Sequence, residues 1–327
     1  MKYLLRVLKG THSHQSLRKW VSTKNVIKEF IAQRYKARDL ALHTIQPKLA
    51  DHFKDYLMLN RESQNNTAMK YIKNLKQLLN LATVENWINN SPVKSFQCHY
   101  VDPERRALTM EEIATLIGRD FEVGRLREVR DVFIFSCFTG FAYQEAYNLR
   151  PEHVSRHTDG KLWVDTNRNK TKQPEFLPLL PIAEDIITKY ANHPYCRKYG
   201  KLLPVNSNQR YNSYLTEIAD ICGIEISLTT HIARHTFATT IALENDIPLK
   251  IVSKMLGHKS IRTTEIYARA SKKAIGRHME RLEQALFAAG RDLLVGDRKY
   301  SLPPATEHLS KTKKISACAR LEAGPLN

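Results

Sequence analysis

The chain has 327 residues, of which 42% are hydrophobic, with 51 Lys and Arg against 33 Asp and Glu and a formal charge of +18. The apolar share fills globular cores and excludes a wholly disordered or collagen-like chain, and the length suits about two domains. An excess of positive charge this large points to an extended polyanion as partner, nucleic acid first, because each neutralised phosphate releases counterions.

The opening MKYLLRVLKG is too short and too basic for a signal-peptide core, and no later run approaches the roughly 18 apolar residues of a membrane span. A cytoplasmic protein with no membrane partner is expected. Cys98, Cys137, Cys196, Cys222 and Cys318 are odd in number, scattered and never in a C-x-x-C pair, so free thiols are expected rather than a disulfide framework or zinc ribbon.

Residues 1–23 form a basic, poorly patterned segment with five basic and no acidic side chains, and residues 24–100 carry 12 basic against six acidic. Val26 to Leu81 contains no Gly and reads as amphipathic helices, with Pro47 opening one that runs toward Leu59. In Thr67–Leu81, helical spacing puts Met69, Ile72, Leu75, Leu78 and Leu79 inward and Lys70, Lys73 and Lys76 outward. With Arg34, Lys36 and Arg38 nearby, this basic face is expected to lie on DNA. The stretch NNSPVKSFQCHYVDPERR, with two Pro and no periodicity, marks a linker at 101–107 between a helical domain (24–100) and a second domain (108–285).

The second domain opens with Thr109 as N-cap and Glu112 completing a capping box. Val129–Phe138 reads as an apolar helix ending at Thr139-Gly140, and Gln144–Leu149 as a short helix stopped by Pro151. The period then changes to two, so that Lys161–Asp165 and Phe176–Leu179 are expected as antiparallel strands around the basic turn RNKTK. Helices are expected over 182–191, 209–222, 231–244, 248–256, 261–272 and 274–288, followed by a flexible tail over 286–327. The fold class is mainly α with a small antiparallel β-sheet.

Three pieces of the C-terminal half carry chemistry: Thr230-His231-Ile232-Ala233-Arg234-His235, Leu256-Gly257-His258, and Tyr267. His231 and Arg234 share a helical face, behind an N-cap supplied by Thr229 or Thr230, where free backbone N–H groups suit a phosphate. An Arg to grip a phosphodiester, His side chains to move protons and a Tyr hydroxyl as nucleophile form a set for phosphoryl transfer without metal. His231 and His235 also have zinc-protease spacing, but Ile232 stands where that pattern needs Glu, and no metal or other cofactor is expected.

The order H-x-x-R-H, G-H and Tyr resembles the signature of the tyrosine recombinases, the lambda-integrase or phage integrase family, over roughly residues 24–285. HIARHTFATT and VSKMLGHKSIRTTEIYAR look most like integrases of Bacteroidetes conjugative transposons. The resemblance implies an N-terminal core-binding domain and a C-terminal catalytic domain closing around duplex DNA. It implies a site-specific recombinase of a bacterial mobile element, associated with the nucleoid, acting on DNA attachment sites as a homotetramer with a host DNA-bending protein. Tyr267 would attack to leave a 3′-phosphotyrosyl bond, with Arg234 on the phosphate and His231 and His258 beside it. Lys170, eight residues before Pro178, would protonate the leaving 5′-oxygen, with Lys172 as its competitor and a further DNA contact.

Two departures stand out. The family's first catalytic arginine belongs to a T-G-x-R-x-x-E pattern, and Thr139-Gly140-Phe141-Ala142-Tyr143-Gln144-Glu145 places Ala142 there. Arg130, Arg150 and Arg168 are the candidates to compensate, and Glu145 keeps the acidic position. Residues 1–23 are also too short for the arm-binding domain of such integrases, so that domain is expected to be missing or truncated. The alternative expectation is a catalytically inactive DNA-binding relic or regulator of recombination.

Overall fold

The computed structural model describes residues 14–101, 106–168, 173–268, 272–287, 293–295 and 298–300. The chain divides into two compact units, Met1–Glu104 and Arg105–Asn327. Among the described residues no helix is long and apolar enough to cross a membrane.

In the first unit, α1 (His14–Tyr35), α2 (Leu49–Asp55, continued by a π turn over Tyr56–Asn60) and α3 (Asn65–Val84) surround one core. Phe30, Phe53, Leu57, Ile72 and Leu79 are buried in it, and the Phe30 and Phe53 rings pack 4.9 Å apart. Helix α1 starts inside the segment that lacks a clear apolar period, because its inward face is partly polar: Thr23 is buried and receives a hydrogen bond from buried Asn74 at 2.8 Å. On α3, Met69, Ile72, Leu75 and Leu79 are buried as the spacing predicts, whereas Leu78 is only partly so. Lys70, Lys73, Arg34, Lys36 and Arg38 are exposed. Lys76 departs from the expected outward face. Its ammonium donates to the carbonyls of Phe96 and Lys94, tying the helix to the chain that follows it.

The second unit is built around α5 (Gly124–Thr139), where Val129, Val132, Phe133, Ile134, Phe135 and Cys137 are buried on nearly every side. A helix apolar all round is a core helix. The preceding α4 (Met110–Gly118) carries the capping box, Thr109 Oγ1 accepting from the Glu112 N–H at 3.2 Å and a Glu112 oxygen from the Thr109 N–H at 2.9 Å. After α5 the chain turns at Gly140 (φ +75°), where a Cβ would sit 2.5 Å from the Phe237 ring, and enters α6 (Tyr143–Asn148).

Three antiparallel strands follow in the order β1 (Val154–Arg156), β2 (Leu162–Asn167) and β3 (Pro174–Pro178). The register of β2 on β3 pairs Trp163 with Pro178 and Thr166 with Glu175. The Arg168 N–H closes the hairpin on the Gln173 carbonyl at 2.9 Å. Strand β1 was not expected from the sequence, being three residues long with little alternation. Lys170 and Lys172 lie outside the described residues.

Helices α7 (Pro181–Tyr190), α8 (Pro194–Tyr199), α9 (Asn208–Cys222), α10 (Thr230–Thr236), α11 (Leu249–Met255), α12 (Arg262–Glu265) and α13 (Lys272–Phe287) complete the unit. Two differ in kind from expectation. The helix expected over 231–244 is α-helical only to Thr236 and continues as a π turn over Phe237–Ala242, because Thr236 and Thr240 both bond to Leu108. The helix expected over 261–272 is a single turn, after which Tyr267 N–H bonds to the Thr264 carbonyl at 2.9 Å and Tyr267 turns inward. Within the tail expected to be flexible, β4 (Leu293–Val295) pairs with β5 (Arg298–Tyr300). In sequence the two runs are separated by Gly296-Asp297, a dipeptide of the two-residue hairpin type.

Candidate active site

Helix α10 presents Arg234. Thr229 is its N-cap, and its hydroxyl accepts from the Ile232 N–H at 3.4 Å. Arg234 is 2% exposed. Its Nη1 donates to the Gly140 carbonyl at 2.7 Å and to Glu175 Oε1 at 3.2 Å; its Nη2 donates to the Leu256 carbonyl and to His258 Nε2 at 3.2 Å. Four of the five N–H groups are thus committed. Nε is buried with no hydrogen-bond partner among the described residues.

His258 follows the Gly257 turn that ends α11. Its Nε2 faces a guanidinium, which only donates, so Nε2 is an acceptor and the ring proton sits on Nδ1, 2.8 Å from Thr264 Oγ1. Burial, then the charges of Arg234 and Arg168, push its pKa down to about 3. The imidazole is therefore neutral at physiological pH.

Tyr267 is buried, its ring 4.6 Å from that of His235 in an edge-on contact and 6.3 Å from that of His258 in a stacked one. Of the expected site residues, the fold thus brings together Arg234, His258 and Tyr267. His231 lies one turn before Arg234 on α10 and is exposed. Among the described residues no group of three or more His, Cys, Asp or Glu is arranged to hold a metal ion.

Ala142, at the position of the family's first arginine, is the N-cap of α6. The three compensating candidates separate clearly. Arg130 is buried against Asp131 and the last carbonyls of α4, donating to Leu116, Ile117 and Arg119 at 2.7, 2.8 and 3.0 Å. It neutralises that helix end. Arg150 is exposed. Arg168, at the end of β2, enters the site: Nη1 reaches the Gly257 carbonyl at 3.4 Å, and burial followed by the nearby Arg234 charge lowers its pKa. Its Nε, too, is buried without a hydrogen-bond partner among the described residues.

Sequence reasoning missed Glu175 and passed over His235 at this site. Strand β3 turns Glu175 and Leu177 inward and leaves Phe176 46% exposed, so the alternation is the reverse of what an apolar Phe suggests. Glu175 is fully buried. Desolvation outweighs Arg234 and pushes its carboxyl up to about 7, helped by the field of buried Glu145. The available signal was an acid sharing its strand face with core leucine, opposite a buried arginine.

With this geometry in place, two sequence families account for most of the chain: the Phage integrase SAM-like domain over residues 1–99 and the Phage integrase family over residues 127–274. The chain belongs to the phage integrase family, the tyrosine recombinases. Among curated relatives, tyrosine recombinase XerC of Chlamydia caviae is 33% identical over 185 residues, 51% of this chain and 55% of that protein. XerC of Rickettsia massiliae is 35% identical over 182 residues, 51% of this chain and 56% of its own. The chain spans about half the length of these relatives. A lambda integrase dimer bound to a COC′ core site shares the fold with a TM-score of 0.65 at 16% identity, covering 81% of this family member and 93% of that chain. The Tn1549 transposon integrase in complex with a circular intermediate DNA gives 0.62 at 15%, covering 84% and 97%.

Proposed function

We propose that the protein is a site-specific recombinase of a bacterial mobile element that cleaves and rejoins duplex DNA through a 3′-phosphotyrosyl intermediate, without metal or ATP. The observation that carries this reading is the buried convergence of Tyr267, His258 and Arg234, groups separated in sequence and gathered by α10, α11 and the single turn of α12. The Tyr267 oxygen attacks the scissile phosphorus as its phenolic proton passes to a neighbouring imidazole. The bond to the 5′-oxygen breaks, and that oxygen leaves as a hydroxyl carrying a proton from Lys170. The phosphodiester is conserved as a tyrosyl ester, so religation needs no energy source. Arg234 binds the non-bridging oxygens, with His231, exposed one turn earlier on the same helix, as a further phosphate and proton-handling group, and Arg168 takes the place of the arginine that Ala142 lacks.

The exposed Lys70, Lys73, Arg34, Lys36 and Arg38, with Lys172, contact the DNA backbone, residues 24–100 and 108–285 serving as core-binding and catalytic domains. Recombination proceeds in a homotetramer at paired attachment sites, with a host bending protein, on the nucleoid in the cytoplasm. Structures of lambda integrase and of the Tn1549 integrase on their DNAs support this assignment of partner.

The test is covalent trapping on a nicked duplex carrying the ends of the protein's own element, without added metal. Wild type should give a covalent band on a denaturing gel, and Tyr267→Phe should give none while still retarding the duplex on a native gel. Arg168→Ala should lower the trapping rate by about 10²–10³, the cost of one transition-state donor. Retardation by wild type without a band would favour the inactive DNA-binding relic, the reading that Ala142 motivates.

A further inference from the structure

Arg234, the group placed here on the scissile phosphate, spends one donor on a carboxylate. Glu175 Oε1 lies 3.2 Å from Nη1, and Oε2 is buried with no hydrogen-bond partner among the described residues. A carboxylate with one bond from a guanidinium and one oxygen left bare in a fully buried position is poorly satisfied, and nothing in the packing of β3 requires an acid there. What it does resemble is a phosphate oxygen: negatively charged, planar in its approach and seated on the arginine.

The charges that surround Glu175 sharpen the point. Arg168 comes from the end of the paired strand β2, Arg234 from α10, Glu145 from α6, neutral His258 from the turn after α11, and Tyr267 from the turn after α12. Helix α11, which packs on β3, directs Lys250 and Lys254 to solvent. With both carboxyls ionised, the two arginines and two glutamates of this described set cancel. An incoming phosphodiester then meets a neutral cluster of side chains in which a buried anion already holds its own binding group. Protonating Glu175 alone leaves a net charge of +1, the complement of one phosphodiester.

We propose that Glu175 is a proton-operated stand-in for the scissile phosphate: its carboxylate occupies Arg234 in the DNA-free site, and it takes up one proton from solvent as the phosphodiester displaces it. The neutral acid then becomes a hydrogen-bond donor where the anion was an acceptor, and the vacated Nη1 turns to the phosphate oxygen. Burial already raises the carboxyl to about 7, so the switch lies in the physiological range. A carboxyl at the ordinary glutamate value would be fully ionised there and would stay on Arg234.

This inference rests on Arg234 being the phosphate clamp, and the experiment keeps the two claims apart. Trapping rates at subsaturating protein, which report the groups of the free protein, are measured from pH 6 to 9 for the full chain and for Glu175→Gln on the nicked duplex above. Net proton uptake on binding is measured by calorimetry at pH 8 in two buffers of different ionisation heat. Above pH 7 the wild-type rate should fall by about tenfold per pH unit relative to the variant, with the two alike at pH 6, and wild type should take up about one more proton than the variant. Parallel pH profiles with equal proton uptake would overturn the proposal while leaving the recombinase reading intact. If wild type forms no covalent band at any pH, the recombinase reading fails, and the difference in proton uptake still decides the role of Glu175. Should Glu175→Gln fail to fold, a wild-type complex that forms at pH 8 without proton uptake would itself overturn the switch.

Discussion

A buried arginine is held in place by whatever takes its protons, and at Arg234 those partners come from three different elements: the Gly140 turn, strand β3 and the end of α11. Two titratable neighbours are shifted in opposite directions by the same burial, and each marks its own pH window. The Glu175 carboxyl is raised from the usual 4.5 to about 7, so folding favours its protonated form. Its contribution to stability is complete below 4.5 and is lost as pH rises through 7. The His258 imidazole is depressed from 6.5 to about 3, so its contribution is complete above 6.5 and is lost as pH falls toward 3. Urea midpoints should therefore show Glu175→Gln gaining on wild type between pH 5 and pH 8, and His258→Gln gaining on wild type between pH 7 and pH 4. A difference between variant and wild type that is flat in pH would mean that the buried groups do not carry these shifts.

At the scale of elements, α10 is positioned by two hydroxyls rather than by its own length. The Leu108 N–H donates to Thr236 Oγ1 at 3.0 Å and Thr240 Oγ1 donates to the Leu108 carbonyl at 2.6 Å, both buried. The π turn between them widens the helix enough to set both threonines on one residue. Thr240→Val keeps the shape and strands a buried carbonyl, which should cost about 1–3 kcal/mol in chemical denaturation and slow trapping with it. A variant as stable as wild type would show that the π turn is not held by this bond. The sequence made α5, α7, α9 and the Thr109 capping box legible because local periodicity and capping chemistry decide them. It did not reveal the early end of α10 or the single turn of α12, because tertiary bonds at Leu108 and Thr264 override local helix propensity there. The same holds in the site. Arg234, His258 and Tyr267 were legible from motif order, whereas Glu175 became visible only when the register of β2 on β3 turned it inward.

At the scale of the whole molecule, the charge excess has a consequence in salt. The 17 basic residues of the first hundred face only six acids. Lys70 and Lys73 are exposed on α3, while Lys76 is spent on the carbonyls of Phe96 and Lys94. Replacing Lys70 and Lys73 together by Gln should flatten the dependence of log binding constant on log salt by about two units, close to 0.9 per phosphate contact. Lys76→Gln should leave that slope nearly unchanged and lower the melting temperature instead. Nitrocellulose filter binding across a salt series, beside thermal melts, separates these outcomes, and an equal effect of all three lysines on the slope would refute the distinction.

The double bond from Leu108 to α10 also has a mechanical side. Leu108 is wholly buried only four residues into the second unit, and both its backbone groups are tied to the helix that carries Arg234. A pull on the backbone at Leu108 is therefore borne directly by α10 and the π turn that continues it, the scaffold of Arg234 itself.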